Sequence, residues 1–339
     1  MESPTAFPGY TKDGIILLAA ASVLTGLSLI LYGLRAFSAS KKDGKWRKDF
    51  IFITIAMIFN IVAFAHIERS LRYGLGHHVA DLTYSQVVLT IRFVVFYLFF
   101  ILISTTMAKF SIIALLIPVQ GVNAKPRVYA LVAVGVLQFV FAVSLMFLIV
   151  TECDPVSRLW DVLGEGSCPR KDFAHKWALT QGGVSALVDF ILALWPLSMV
   201  PSLKVSLRAK IGFCLLMGLG AITGIASIYR DVVTQQSVNG TDVTFTYVKL
   251  LGWSVAEQTG IIILGTIPTL RPLFRKWMGR DNGSSKGQRT QTNMGNPSFI
   301  MPKTPLLDGD AASTGEKDGT INVSTTFSVK AVERHIETV

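Results

Sequence analysis

The chain has 339 residues, of which 51% are hydrophobic and only 16% charged, and its mean hydropathy is +0.50. An ordinary soluble domain carries about 25% charged residues, so this composition excludes a water-soluble globule and points to a bilayer. The net charge of +10 does not indicate nucleic acid, because the basic residues sit at the ends of apolar runs, on one side, where anionic lipid is the natural partner.

A span of hydrocarbon takes about 20 apolar residues. Cutting on that length predicts an all-α polytopic membrane protein with seven transmembrane helices, near 14–37, 49–67, 87–117, 128–150, 177–200, 211–229 and 250–270. Residues 1–13 read as a short extracellular N-terminus. The first run is too long for a signal-peptide core and no basic segment precedes it, so it is expected to stay as a helix. The third run exceeds one straight crossing, and Arg92 and Lys109 are expected to mark its two interfaces. Cys214, inside the sixth run, reads as a small core residue, and Arg230 follows that run. The membrane domain covers 14–275. Residues 276–339, rich in Gly, Ser, Thr and Asn, read as a disordered cytoplasmic tail.

Orientation follows from the basic residues. Loops 38–48, 118–127 and 201–210 hold ten Lys and Arg in 31 residues, against eight in the 65 residues of loops 68–86, 151–176 and 230–249. The short basic loops are therefore expected in the cytoplasm, with the N-terminus outside and the C-terminus inside.

On the outer side lies "ECDPVSRLWDVLGEGSC", 152–168, holding two of the three cysteines. In an oxidising compartment a Cys153–Cys168 disulfide is the natural reading, two free thiols or partners elsewhere being the alternative. Closing a loop of this length contributes roughly 3 kcal/mol in the chain-entropy account. Asn239 heads an N-x-[ST] triplet in the last outer loop and is the expected glycosylation site; Asn282 and Asn322 head triplets in the tail and should stay bare. His77 and His78 stand beside Asp81, but adjacent histidines in an extended loop seldom share one ion, so no metal is expected there.

These placed segments resemble the fungal rhodopsin-domain family of integral membrane proteins, which includes candidate receptors and proteins encoded beside mycotoxin gene clusters, among them the satratoxin cluster. The residues that carry the likeness run from Arg35 to Phe274: "RYGLGHHVADLT" (72–83), "AKFS" (108–111), "CDPVSRLWD" with Cys168, Asp189 with "WP" (195–196), Arg230, Trp253 with Glu257, and "PTLRPLF" (268–274). The sequence departs from the family where "WRKDF" keeps only Asp49 of a usual acidic pair. The resemblance implies a seven-helix fold and a receptor-like or cluster-associated role.

Ionisable side chains inside a bilayer cost several kcal/mol unless paired or hydrated, which singles out Lys109, Asp189 and Glu257. Lys109 and Asp189 fall at similar depth and are expected to pair across the bundle, as packing glue or as a switch. Glu257 is expected in the outer half, as a ligand contact or a structural hydrogen bond, with Trp253, Trp177, Tyr97 and Phe93 as candidate walls. A retinal pigment needs a lysine deep in helix seven; "LLGWSVAEQTGIIILGTIPTL" has none, and Lys249 is expected beyond its outer end.

No nucleophile–base pairing, metal motif, phosphate-cradling loop or cofactor fingerprint is found, so neither an enzyme nor a cofactor is expected. A plasma-membrane receptor-like protein for an external small-molecule ligand is the first reading. Coupling to a heterotrimeric G protein is left open, since helix three ends "SIIALLIPV" without an acidic-Arg-aromatic triplet. An accessory protein of a secondary-metabolite cluster is the alternative, and a transporter a further one. The orientation has a direct test. Glycosidase treatment should shift the electrophoretic band of the wild type but not of Asn239→Gln; glycan on Asn282 or Asn322 instead would invert the topology.

Overall fold

The computed structural model describes residues 8–40, 48–120, 125–161, 164–195, 207–239 and 242–278, with side chains of the sixth helix described over 217–236. Among these residues seven long helices follow one another: α1 (Lys12–Ser40), α2 (Lys48–Tyr73), α3 (Tyr84–Leu116), α4 (Lys125–Thr151), α5 (Lys171–Leu194), α6 (Leu207–Asn239) and α7 (Val243–Met278). Among the described residues no strand occurs beyond two isolated bridges, Leu75 with His77 and Asp154 with Ser167. A helix satisfies its backbone polar groups within its own segment, which is what a hydrocarbon environment demands. Among the described residues, six helices are long and apolar enough to cross a membrane: α1 to α5 and α7.

Most helices outrun their apolar cores, because backbone hydrogen bonding does not stop where hydrocarbon would. Thr83 and Gln86 form a capping box that starts α3, Thr83 N–H donating to Gln86 Oε1 at 2.9 Å. Pro118 lacks the amide that would continue α3, and the chain tightens into a 3-10 turn over Ile117–Val119. At α5 the sequence boundary is corrected at its start: the helix begins at Lys171, inside the expected loop, and runs to Leu194; the end of the expected span, 196–200, lies outside the described residues. Arg230 is corrected as well: it lies within α6, not after it. Asn239 is the last residue of that helix; its side chain, the rest of its triplet and the Cys214 side chain lie outside the described residues, as does the expected tail beyond Met278.

Each helix packs on its chain neighbours, α1 closes the ring against α7, and α3 also reaches α7 across the middle. Gly260 and Gly220 let helices approach closely: a Cβ on Gly260 would stand 2.2 Å from Thr223 of α6, and one on Gly220 2.3 Å from Ala193 of α5. Two large apolar clusters fill the bundle, and a small third, Leu102 with Ala142 and Leu145, joins α3 to α4. One, with Leu17, Ile67, Val94, Tyr97 and Leu251, lies toward the end that carries the Cys153–Cys168 loop (the disulfide end). The other, with Ile53, Ile112, Leu131, Leu192 and Ile261, lies toward the opposite end. Outward, α1 and α4 expose Ile16, Val23, Ile30, Val136, Val140 and Phe147. An apolar surface of that extent is a lipid contact.

At the disulfide end, "YGLGHH" ties three helices together. Gly74 and Gly76 take φ of 124° and 99°, open to glycine and strained for other residues. This turns the chain so that Gly76 N–H donates to Thr244 O (3.3 Å), Thr244 Oγ1 donates to His77 O (2.7 Å) and His77 Nε2 donates to Gly9 O (3.1 Å). A Cβ on Gly76 would approach Thr11 Oγ1 to 2.5 Å. Gly76→Ala is therefore expected to destabilise the bundle by about 1–3 kcal/mol, read as a lower thermal midpoint in detergent; an unchanged midpoint would show the turn to be tolerant.

Candidate functional site

Between the two apolar clusters lies a layer of buried polar groups. Lys109 of α3 has no exposed surface, so its expected position at an interface is corrected. Its stem runs into the bundle because Ser185 and Asp189, one turn apart on α5, face it together. Lys109 Nζ donates to Ser185 O (2.8 Å) and Ser185 Oγ (2.6 Å) and pairs with Asp189 Oδ1 at 3.0 Å, using all three ammonium protons. Ser227 of α6 donates to Asp189 Oδ2 at 3.2 Å.

The layer continues through α7. Glu257, fully buried, accepts a long hydrogen bond from Ser185 Oγ at 3.5 Å and stands 3.0 Å from Arg230 Nη1. That last contact is electrostatic, since Glu257 Oε2 has no aligned hydrogen bond. Arg230 Nη2 lies 3.3 Å from Asp231 Oδ1. The next residue of α7, Gln258, donates through Nε2 to Ser104 Oγ of α3, which in turn donates to Ala56 O of α2 at 2.6 Å. One chain of polar contacts thus joins α3, α5, α6 and α7, and a second, from the adjacent Gln258, joins α7, α3 and α2.

A second buried cluster sits toward the opposite end. Arg35 of α1, 2% exposed, donates to Asp49 Oδ2 (2.9 Å), Ser111 Oγ (3.1 Å) and Gly265 O (3.1 Å), pinning α1, α2, α3 and α7. The sequence reading missed Arg35 as a site residue. The signal was there: it falls inside the first apolar run, where an arginine needs a partner. Asp231, Ser185 and Ser227 were missed too. Asp231 looked like loop, and nothing in a serine's sequence context announces an ammonium partner.

The expected ligand walls do not converge. Tyr97 is buried against α7, its hydroxyl donating to Leu251 O at 3.5 Å. Phe93 faces α2, stacked on Tyr73. Trp177 turns to α4, stacked on Phe141 and donating to Ser144 Oγ at 3.0 Å. Trp253 is 37% exposed and packs on Tyr229 of α6. Residues one turn apart on a straight helix share a face, yet a large ring reaches past its neighbour's backbone and takes whichever surface is open. Lys249 also departs from expectation: it lies in the second turn of α7, exposed, with Nζ over the Phe245 ring.

Cys153 and Cys168 are joined by a disulfide, and Asp154 and Ser167 exchange backbone hydrogen bonds beside it. The loop is held on α3: Trp160 stacks on Phe96 and lies under the Arg92 guanidinium, and Tyr84 Oη donates to Asp161. Partial burial holds the Glu152 carboxyl above the usual carboxylate range, against the lowering pull of Lys171 and His175. His78 pairs with Asp242 at 3.2 Å and stacks on Phe245.

The fungal rhodopsin domain matches residues 34–276. The chain belongs to the fungal rhodopsin domain family. Across 80% of its length it is 26% identical to the "Polyenoic acids biosynthesis gene cluster protein Ba17b" of Metarhizium anisopliae, covering 76% of that protein. It is 25% identical over 64% of its length to the "Satratoxin biosynthesis SC1 cluster protein 4" of Stachybotrys chartarum, covering 82% of it. To a "SAT4 family membrane protein" of Emericella nidulans it is 24% identical, and there it spans only 37% of the relative. No solved structure matches the chain significantly. Within the fungal rhodopsin domain, Lys109, Asp189, Arg230 and Glu257 stand in segments noted for their likeness to the family, and the fold brings all four into one network.

Lys109→Ala and Asp189→Ala should each destabilise by about 3–5 kcal/mol, because each leaves a buried charge without its partner. The apolar pair Lys109→Met with Asp189→Leu should cost much less. Thermal midpoints in detergent, with surface expression, measure both; single variants that keep the wild-type midpoint would remove the pair from the argument.

Proposed function

We propose that this chain is a receptor-like membrane protein of seven spans, which reads an external small molecule or surface cue from the plasma membrane. The N-terminus and the disulfide loop lie outside and the C-terminus lies in the cytoplasm. The closed ring of seven helices supports the span count. In α6, the uncharged apolar stretch 211–228 is long enough for a span, and Arg230 beyond it is matched by Glu257. The concentration of Lys and Arg in the short loops supports the orientation.

The observation that carries the receptor reading is the ionic network across four helices. Arg230 lies within reach of two carboxylates on different helices, Glu257 at 3.0 Å and Asp231 at 3.3 Å. A network with two available pairings is a two-state element, which a cue can bias from one side and a partner can read from the other. The cue acts through the segments that grip α3 and α7 at the disulfide end, and the cytoplasmic partner is a heterotrimeric G protein.

A second reading is favoured by the names of relatives. Two of the three described above are named for biosynthesis clusters. On that reading the chain is a membrane accessory of a secondary-metabolite pathway, acting in export, self-protection or scaffolding. A deletion strain separates the two. The receptor reading expects altered cyclic-AMP signalling with ordinary metabolite secretion, restored by the wild-type gene and not by a well-expressed Arg230→Gln variant. Normal signalling with altered secretion would overturn it in favour of the accessory role.

A further inference from the structure

The buried network does not balance in charge. Among the described residues it contains three carboxylates, Asp189 on α5, Asp231 on α6 and Glu257 on α7, and two cations, Lys109 on α3 and Arg230 on α6. The other titratable group facing it is Tyr97 of α3, whose hydroxyl is already donated to Leu251 O. Two carboxylates have a close ion pair each, Asp189 with Lys109 and Glu257 with Arg230, both at 3.0 Å. Asp231 is left to share Arg230 at 3.3 Å. It is also closely packed: a Cβ on Gly182 of α5 would come within 2.0 Å of Asp231 Oδ1, so this glycine makes the space that the carboxyl fills.

An unmatched negative charge inside a helix bundle is costly, and two carboxylates that compete for one cation are relieved when one of them takes up a proton. We propose that the cluster binds one exchangeable proton and that Asp231 carries it. The site communicates with the disulfide end. Asp231 keeps 21% of its side chain exposed. One turn along α6, Gln235 accepts a hydrogen bond from His175 of α5 at 3.1 Å, at an exposed position. A bound metal cation would supply the same charge, but no group of three or more His, Cys, Asp or Glu side chains is gathered to hold a metal among the described residues. The inference stands on the charge count and holds for a receptor and for a pathway accessory alike.

Infrared spectroscopy of the purified full chain in detergent tests it. At neutral pH the wild type should show a protonated-carboxyl C=O band that shifts in heavy water and with 13C-labelled aspartate. The band should vanish in one single-proton step as pH rises, be lost in Asp231→Asn, and stay the same when sodium is replaced by a bulky organic cation. Absence of the band at neutral pH overturns the proposal. So does a band that labelled aspartate leaves in place, or that persists in Asp231→Asn. A band that appears only when sodium is withdrawn assigns the charge to a metal ion and overturns it equally. The labelling and the pH titration use the wild type, so the outcome does not depend on the variant folding.

Discussion

A charge enclosed by helices that face lipid has no water to fall back on, and the architecture of this protein turns on that constraint. Lys109 cannot be buried at mid-bundle unless α5 presents Ser185 and Asp189 to it on one face. Glu257 cannot be buried on α7 unless Arg230 of α6 comes to meet it. Each requirement sets the rotation of a helix about its own axis, which apolar packing against lipid leaves loosely determined. Arg35 imposes the same condition at the opposite end, where Asp49, Ser111 and the Gly265 carbonyl converge on it. Removing one partner is therefore far more damaging than removing both, since the damage lies in the unmatched charge that remains.

The disulfide end is built by different means. There the chain is held by backbone geometry and by the packing of rings. Gly74 and Gly76 bend the segment after α2 onto the starts of α1 and α7. The loop closed by Cys153 and Cys168 rests on α3 through Trp160, Arg92 and Tyr84. These contacts grip α3 and α7, the same helices that carry Lys109 and Glu257 toward the middle of the bundle. Mechanical continuity between the disulfide end and the ionic layer is thus a matter of two rigid helices, whatever signal or metabolite the protein serves.

Family likeness and physical role coincide at several positions and part at others. The glycines of "RYGLGHH" serve a turn that tolerates no Cβ at Gly76 without displacing Thr11. Lys109, Asp189 and Glu257 serve the network. Trp253, which the sequence groups with Glu257, packs instead on Tyr229 near the outer surface of the bundle. A functional pocket cannot be assembled by adding aromatic residues of similar depth, because each ring in a tight bundle settles against the nearest neighbour that fits it.

By itself the sequence determined the all-helical class, the approximate position of each apolar run and the need for partners at Lys109, Asp189 and Glu257, because hydrophobicity and the cost of buried charge act on residues one at a time. The cysteine loop was legible for the same local reason. Only the tertiary structure decided who meets whom. Arg230 was read as lying past the end of a helix, since a charged residue ends an apolar run, and the fold instead encloses it against Glu257. Asp231 became a site residue only when it met Arg230 beside α5. A pairing between distant helices depends on their relative rotation and depth, and no run of residues along one helix contains that information.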